Sequence, residues 1–413
     1  PGVFPELDQG GTGMKKELLE SCAAMYRTPA YIFDTDCFRQ TIRNLRDSFG
    51  KDVGLCYAMK ANPFLADRAE KEADRIEICS MGEFQICREK RIEPKKMLIS
   101  GVMKSPEDLA EILGYCGEDS LYTVESMRQA DYLESWSRQR GKKIRILLRL
   151  SSGNQFGMDE DTLIHLLQKI QNHPYLKIQG IHYFSGTQKQ IAKTVGELRK
   201  LDDLLKRLEK EYGIQLEELE FGPGLAVAYF DRQKDCIREE IRELSRAIGE
   251  LRWKGKVTLE MGRAMAASCG TYLTTVKDTK QNGGRNYCIV DGGIHQIHYD
   301  GQIRGMYPPS LQVLGEINGH RQAEDGEDPA KEWCVCGALC TVNDILVQKI
   351  KLRNLKEGSI LAFEKTGAYA MTEGMGLFLS HALPRIIFYS KKEGYTLARD
   401  SQPTYIWNME RRL

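Results

Sequence analysis

An excess of charge of either sign is missing from this chain: 59 Lys and Arg stand against 58 Asp and Glu, a net charge of +1 over 413 residues. So small a bulk field offers no electrostatic reason to bind nucleic acid or an anionic membrane. Long apolar runs are missing too, since none approaches the roughly 18 residues that a membrane span needs. Pro1 to Gly13 lacks the basic region and apolar stretch of a secretory signal, and reads as a tag or disordered segment, 1–13, ahead of a native start at Met14. Cysteine is plentiful, at twelve, but its metal spacing is absent. Cys334-Val335-Cys336 and Cys340 have no matching Cys or His pair at zinc-finger distance, so no metal is expected. With no secretory signal, free thiols in the reducing cytosol are the expectation. A Gly-x-Gly-x-x-Gly near the first turn is also absent, which argues against a dinucleotide-binding open sheet.

What is present is alternation. Short apolar runs at 53–59, 75–79, 97–100, 121–124, 144–150, 178–183, 218–221 and 257–260 are separated by amphipathic stretches such as 107–116, 126–139, 161–172 and 189–212. Eight strands alternating with helices at about 25 residues per unit is the pattern of a (β/α)8 TIM barrel. Beyond about residue 271 the strand-like runs at 272–276, 287–290, 333–336, 345–347, 360–364 and 385–389 are joined by Gly, Asp and Asn turns with little helix. The expected organisation is a barrel over 36–275, a β-rich domain (barrel- or sandwich-like) over 276–413, and a segment 14–35 that joins the β domain. Such a pairing suggests a site at the barrel mouth, between the domains.

Several pointed residues fall at the C-terminal ends of the barrel strands, where barrel active sites lie. Lys60 closes the run 53–59, and Asn62-Pro63 disfavours helix directly after it. Its ammonium is then aimed into a cleft, where desolvation lowers its pKa and makes it a usable nucleophile toward an aldehyde. A lysine merely snorkelling from a strand end is the alternative. Glu77 points inward from 75–79, while His182 and Phe184 share one face of the run into Ser185-Gly186-Thr187-Gln188. Gly222-Pro223-Gly224 presents backbone N–H groups to an anion, or is simply a tight turn. Glu260-Met261-Gly262-Arg263 is either an ion pair or, against a phosphorylated heteroaromatic cofactor, a carboxylate for a ring nitrogen and a guanidinium for a phosphate. His295 and His298 read as entrance or contact residues, not as metal ligands.

These motifs occur in one order with Asn154-Gln155-Phe156-Gly157-Met158, Asp291-Gly292-Gly293, Cys336-Gly337-Ala338-Leu339-Cys340, Asp344 and Gly367-Ala368-Tyr369. The series resembles the fold type III pyridoxal-phosphate (PLP) decarboxylases, the diaminopimelate and ornithine decarboxylase group, from about residue 28 to about residue 388. The resemblance implies a PLP-binding barrel with a β-rich domain and a homodimer with shared active sites. By position, Lys60 matches the lysine that holds PLP covalently and Glu260 the acid on the ring nitrogen. Gly222, Gly224, Gly262, Arg263 and Tyr369 match the phosphate-binding positions, with Thr187 where the family usually has a serine. Glu77 takes the place of a family aspartate, and Cys340, with Asp344 nearby, matches the cysteine that protonates the α-carbon after CO2 loss.

Three departures narrow the reading. By register from Gln188 backwards, the family's ring-stacking histidine falls on Phe184 and not on His182. The family's Glu-Pro-Gly-Arg is Glu260-Met261-Gly262-Arg263 here. Third, the acidic residue that in the family recognises the substrate's distal amine is Thr341, and Tyr299 stands where diaminopimelate decarboxylases carry an arginine, with Arg304 further on. A buried distal ammonium without a countercharge would cost several kcal/mol. The pattern resembles the butirosin-type subgroup, which acts on a glutamyl group tethered to an acyl carrier protein. The expectation is a PLP-dependent decarboxylase of an amino acid whose distal end is not a free amine, with an acyl or peptidyl carrier protein as a potential partner. Diaminopimelate decarboxylase, an amino-acid racemase and a non-catalytic PLP-binding homologue are the alternatives.

Overall fold

A computed structural model describes residues 13–102, 104–315 and 329–410; most of the expected leading segment 1–13 lies outside them. The chain divides into two compact units, one of Arg39–Val227 and Cys236–Met265, the other of the described residues up to Phe38, Ala228–Asp235 and those from Ala266 on. Helix α1 (Lys16–Tyr26), strand β1 (Ala30–Asp34) and the start of α2 (Thr35–Phe49) belong to the second unit.

The first unit is a closed barrel of eight parallel strands: β2 (Gly54–Ala58), β3 (Arg75–Ile78), β4 (Met97–Ile99), β5 (Leu121–Val124), β6 (Ile144–Leu150), β7 (Leu176–Phe184), β8 (Glu218–Gly222) and β9 (Lys256–Met261). Between them run α3 (Ala66–Glu72), α4 (Met81–Glu89), α5 (Pro106–Cys116), α6 (Met127–Arg140), α7 (Glu160–Ile170), α8 (Ile191–Tyr212) and α9 (Ile237–Gly249). Helix starts are set locally. The side chains of Ser80, Ser105, Ser126 and Asp159 each accept a hydrogen bond from the backbone N–H three residues on, which satisfies one orphan donor of the first turn. Strand spacing is set by side-chain size at Gly180, where a Cβ would stand 1.7 Å from Glu218 O. Only glycine lets β7 and β8 pair there.

Inside the barrel, Cys56, Leu98, Leu121 and Leu147 pack as an apolar cluster. A charged group lies beside it: Arg75 Nη1 donates to Glu218 Oε1 at 2.6 Å and to Glu220 Oε2 at 2.7 Å, and Thr258 Oγ1 donates to Glu218 Oε1 at 2.5 Å. Glu220 is fully buried, and burial pushes its carboxyl up to about 8 despite Arg75.

The second unit is built on a nine-stranded sheet of β1 with β10 (Gly270–Asn282), β11 (Arg285–Val290), β12 (Leu311–Leu314), β13 (Lys331–Cys336), β14 (Ile345–Leu352), β15 (Ile360–Phe363), β16 (Arg385–Ser390) and β17 (Gly394–Arg399). Its main path is β14-β13-β11-β10-β1-β16-β17, with β12 on β15 and β15 on β10. β1 runs antiparallel to β10 and parallel to β16. Leu19 and Cys22 of α1 pack with Ile32, Leu273, Ile360 and Ile387. The barrel-plus-sheet architecture expected from the sequence is the one observed. Two strands, β12 and β17, carry no alternation strong enough to reveal them. β10 runs unbroken across residue 275, and the last segment of the sheet unit starts at Ala266 where the expected boundary was 276.

Candidate active site

β2 ends at Ala58, and Met59–Ala61 form a single 3-10 turn. The Asn62 side chain accepts from Phe64 N at 3.1 Å, and Pro63 opens the next turn. Lys60 is thereby held one turn beyond the strand. Its Nζ donates to Glu77 Oε2 at 2.7 Å, stands 3.7 Å from Glu260 Oε1, and lies 5.4 Å from the centre of the Phe184 ring. The Lys60 side chain is 32% exposed, whereas both carboxylates are 2% exposed. The cleft expected around Lys60 is therefore a carboxylate pair, and the lysine is their countercharge.

His182 closes the cluster. Burial alone would raise the Glu260 carboxyl, but the Lys60 ammonium and the hydrogen bond from His182 outweigh it and hold the group well below the ordinary carboxylate range. Glu260 is thus an acceptor only, so His182 Nε2–H is the donor in their 2.8 Å hydrogen bond. His182 is 1% exposed, and its Nδ1 has no hydrogen-bond partner among the described residues.

A second cluster surrounds the turn after β8. At Gly222 a Cβ would fall 2.4 Å from the Phe184 ring, and at Gly224 it would fall 2.3 Å from Gly186 O with φ at +64°. Both positions demand glycine, which leaves the Gly222-Pro223-Gly224 backbone open to an approaching group. The turn is braced from behind by the buried Lys189, whose Nζ donates to Glu197 Oε2 at 2.6 Å, to Ser185 Oγ at 2.8 Å and to Gly222 O at 3.5 Å. Thr194 Oγ1 adds a bond to Pro223 O at 2.8 Å. Ser185 is thus engaged by the ion pair, while the exposed Thr187 accepts from Arg263 Nε at 3.2 Å. Gly262 precedes Arg263 and packs its Cα side against Ala61 and Ala58.

Besides Lys189 and Glu197, sequence reasoning missed Arg149, Glu125, Lys104 and Cys79. Arg149, 6% exposed, donates to Glu125 Oε1 at 3.1 Å and stacks on Phe156 at 4.7 Å, while Gly157 N donates to the other Glu125 oxygen at 3.0 Å. Lys104 donates to Gly101 O at 2.5 Å and Thr123 Oγ1 at 3.2 Å, and burial brings its ammonium down to about 8. Cys79 lies 3.8 Å from Lys60 Nζ. For Arg149, Glu125 and Cys79 the available signal is a charged or thiol side chain at the C-terminal end of a barrel strand, the signal that also marks Lys60, Glu77 and Glu260; Lys104, in the segment after β4, carries no such signal.

The remaining expected residues lie in the sheet unit. Cys340 is exposed, in a turn where Thr341 N donates to Leu339 O at 2.8 Å. Asp344 is 3% exposed and accepts from Ile294 N at 2.8 Å and Leu339 N at 2.7 Å, which ties the Cys340 turn to the segment after Asp291-Gly292-Gly293. Burial raises its carboxyl, against the pull of those two N–H donors. Tyr299 and Arg304 line a cavity of about 260 Å³ with His298, Gln302, Asn343 and Glu373. The Tyr299 hydroxyl is spent on Glu364 O at 2.6 Å, so this residue offers its ring. Tyr369 has φ at +63°, and its carbonyl accepts from Glu373 N at 3.0 Å. Among the described residues no group of His, Cys, Asp or Glu could hold a metal ion.

Comparison with known proteins gives one family and a consistent set of relatives. The family model "Alanine racemase, N-terminal domain" matches residues 33–252. The L-glutamyl-[BtrI acyl-carrier protein] decarboxylase of Niallia circulans is 26% identical over 406 residues, covering 91% of each chain. The diaminopimelate decarboxylase of Aquifex aeolicus is 26% identical over 375 residues, covering 85% of this chain and 84% of the relative. Among solved structures, the diaminopimelate decarboxylase of M. jannaschii superposes with a TM-score of 0.83 at 20% identity, covering 95% and 94% of the two chains. The lysine/ornithine decarboxylase of Vibrio vulnificus, complexed with putrescine, superposes with a TM-score of 0.73 at 19% identity over 87% and 93%. These last two are likenesses of fold.

Proposed function

This chain belongs to the family defined by the alanine racemase N-terminal domain, and from that footing we propose that it decarboxylates an amino acid or amino-acyl derivative whose distal end is not a free amine. It is a PLP-dependent carboxy-lyase of fold type III. The observation that carries the reading is the Lys60 cluster: one amine between two buried carboxylates, one of them held ionised by His182, beside a side-chain-free turn.

The residues fit PLP. Bound, the cofactor supplies an aldehyde for amines and a protonated ring that draws electrons from a bond breaking with CO2 loss. Lys60 would hold the aldehyde carbon. Glu260, kept ionised, would accept from the ring N–H, and His182 holds it in place. Gly222, Gly224, Thr187, Arg263 and Tyr369 would bind the phosphate. Phe184, whose ring lies at Lys60 and Gly222, would be the stacking surface, and His182 the orienter of Glu260. Cys340 would return a proton to the α-carbon within a homodimer, Asp344 holding its turn. The twelve free thiols fit a reducing, cytosolic setting.

Substrate choice rests on Thr341, neutral beside Cys340, and on Tyr299, which offers a ring and no charge. A glutamyl group on an acyl carrier protein has an uncharged distal end and matches this. Purified enzyme with PLP is assayed for CO2 release from diaminopimelate, ornithine, glutamate and glutamyl-carrier protein; turnover is expected with the last. Robust turnover of free diaminopimelate would instead establish the second reading, which the diaminopimelate decarboxylase relatives favour. Inversion of the α-carbon with the carboxylate retained would make the chain a racemase, the activity in the family model's name.

A further inference from the structure

Glu77 has two carboxylate oxygens, both buried, and Lys60 satisfies only one. Oε2 accepts from Lys60 Nζ at 2.7 Å. Oε1 lies 3.0 Å from Cys79 Sγ, and among the described residues the thiol is its hydrogen-bond donor. An ionised carboxylate only accepts, so the S–H proton lies on the line to Oε1. A thiol is a weak donor to a neutral group, but a charged acceptor strengthens it.

Cys79 is itself held at both its backbone N–H and its carbonyl. Its backbone N–H donates to Glu83 Oε2 at 2.6 Å, and Glu83 N donates to Ser80 Oγ at 3.2 Å, a reciprocal capping arrangement at the start of α4. Gly101 presses on its carbonyl, for a Cβ there would lie 2.3 Å from Cys79 O. The charged groups that face the thiol are Glu77 from β3, Lys60 from the turn after β2, Glu83 from α4 and Lys104 from the β4–α5 segment. Burial, with the Glu77 charge behind it, pushes the thiol well above its ordinary value, so it stays protonated and able to donate. A thiol so placed is a poor nucleophile and a poor site of oxidation.

We infer that Cys79 is a positioning residue, whose S–H pins Glu77 Oε1 so that Oε2 stays directed at Lys60. The consequence for the reaction rests on Lys60 being the cofactor lysine; the hydrogen bond itself does not. Without the thiol the Glu77 carboxylate can rotate about its terminal bond and leave the lysine.

Two variants and one spectrum test this on the full-length enzyme. Cys79→Ala is expected to lower kcat about five-fold while KM stays within about two-fold, the size of one ordinary hydrogen bond, because the thiol's weakness as a donor offsets the charge of its acceptor. Cys79→Ser, which keeps a donor, is expected to restore kcat to within about two-fold of the parent. In the infrared S–H stretching region, the parent-minus-Cys79→Ala difference should contain a band on the low-frequency side of the thiol envelope. That band should move to higher frequency in Glu77→Gln. An S–H band indifferent to Glu77→Gln overturns the inference, as does a Cys79→Ala enzyme with unchanged kcat. If Cys79→Ala does not fold, the Glu77→Gln shift, read against Cys79→Ser as the blank, decides alone. Loss of the cofactor absorbance in Lys60→Ala reports on the underlying reading, and because the S–H band needs no cofactor the two failures are distinct.

Discussion

Glu260 on β9 and His182 on β7 meet at 2.8 Å inside the barrel, across the intervening β8, and each is less than 5% exposed. A buried carboxylate is normally pushed toward its protonated form. Here a lysine and a histidine on the same carboxylate reverse that, and the site holds a permanent acceptor.

Removing that acceptor should separate binding from chemistry. Glu260→Gln is expected to retain PLP, seen as visible absorbance, and to lower kcat by about 10³-fold, the scale of a lost electrostatic contact to the reacting system. His182→Ala leaves Glu260 without its donor, and breaking a buried pair costs about 3–5 kcal/mol, read as a lowered denaturation midpoint.

The turn after β8 should respond to one methyl group. Gly224→Ala places a Cβ against Gly186 O at a positive φ, and is expected to weaken PLP binding about ten-fold or more. Lys189→Met removes the cation behind the same turn while leaving the part-buried Glu197 without its lysine, and should weaken PLP in the same direction; titration of apoprotein with PLP measures both.

Stability should fall with rising pH because of Glu220. Its folded-state value of about 8 lies above the ordinary 4.5, so the native state binds the extra proton between them. Stability from this group is complete below about pH 4.5 and lost as pH rises toward about 8, with a limiting slope of about 1.4 kcal/mol per unit. Denaturant unfolding across that window should show the slope, and Glu220→Gln should flatten it.

Asp344→Ala strips the acceptor from Ile294 N and Leu339 N, two donors inside the fold. An expected loss of about 1–3 kcal/mol of stability follows. Asp344→Asn keeps an oxygen and should lose less. Both are expected to lower kcat through the Cys340 turn, while Cys340→Ala should lower it further.

Much of this was legible in the chain, and the residues show why. Eight strands alternating with helices are a local pattern, since burial on both faces of a parallel strand writes an apolar run into the sequence. Lys60, Glu77 and Glu260 were visible because a charge at the end of such a run contradicts its surroundings. Arg149 obeys the same rule, but on a strand that already carries Arg145, and Lys104 lies in a loop where lysine is unremarkable. β12 and β17 escaped because they are short and lack a regular apolar face.

By itself, then, the sequence determined the barrel and the sheet unit, because each is written in residues close together in the chain, while Lys60, Glu77 and Glu260 were brought together only through the family resemblance that the order of motifs carries. Tertiary structure alone decided their states. Glu260 is ionised because residues 60 and 182, far apart in sequence, converge on it; Glu77 is shared between a lysine and a thiol; Lys189 turns inward to brace a backbone turn. Those outcomes depend on distance and desolvation, which no local pattern records.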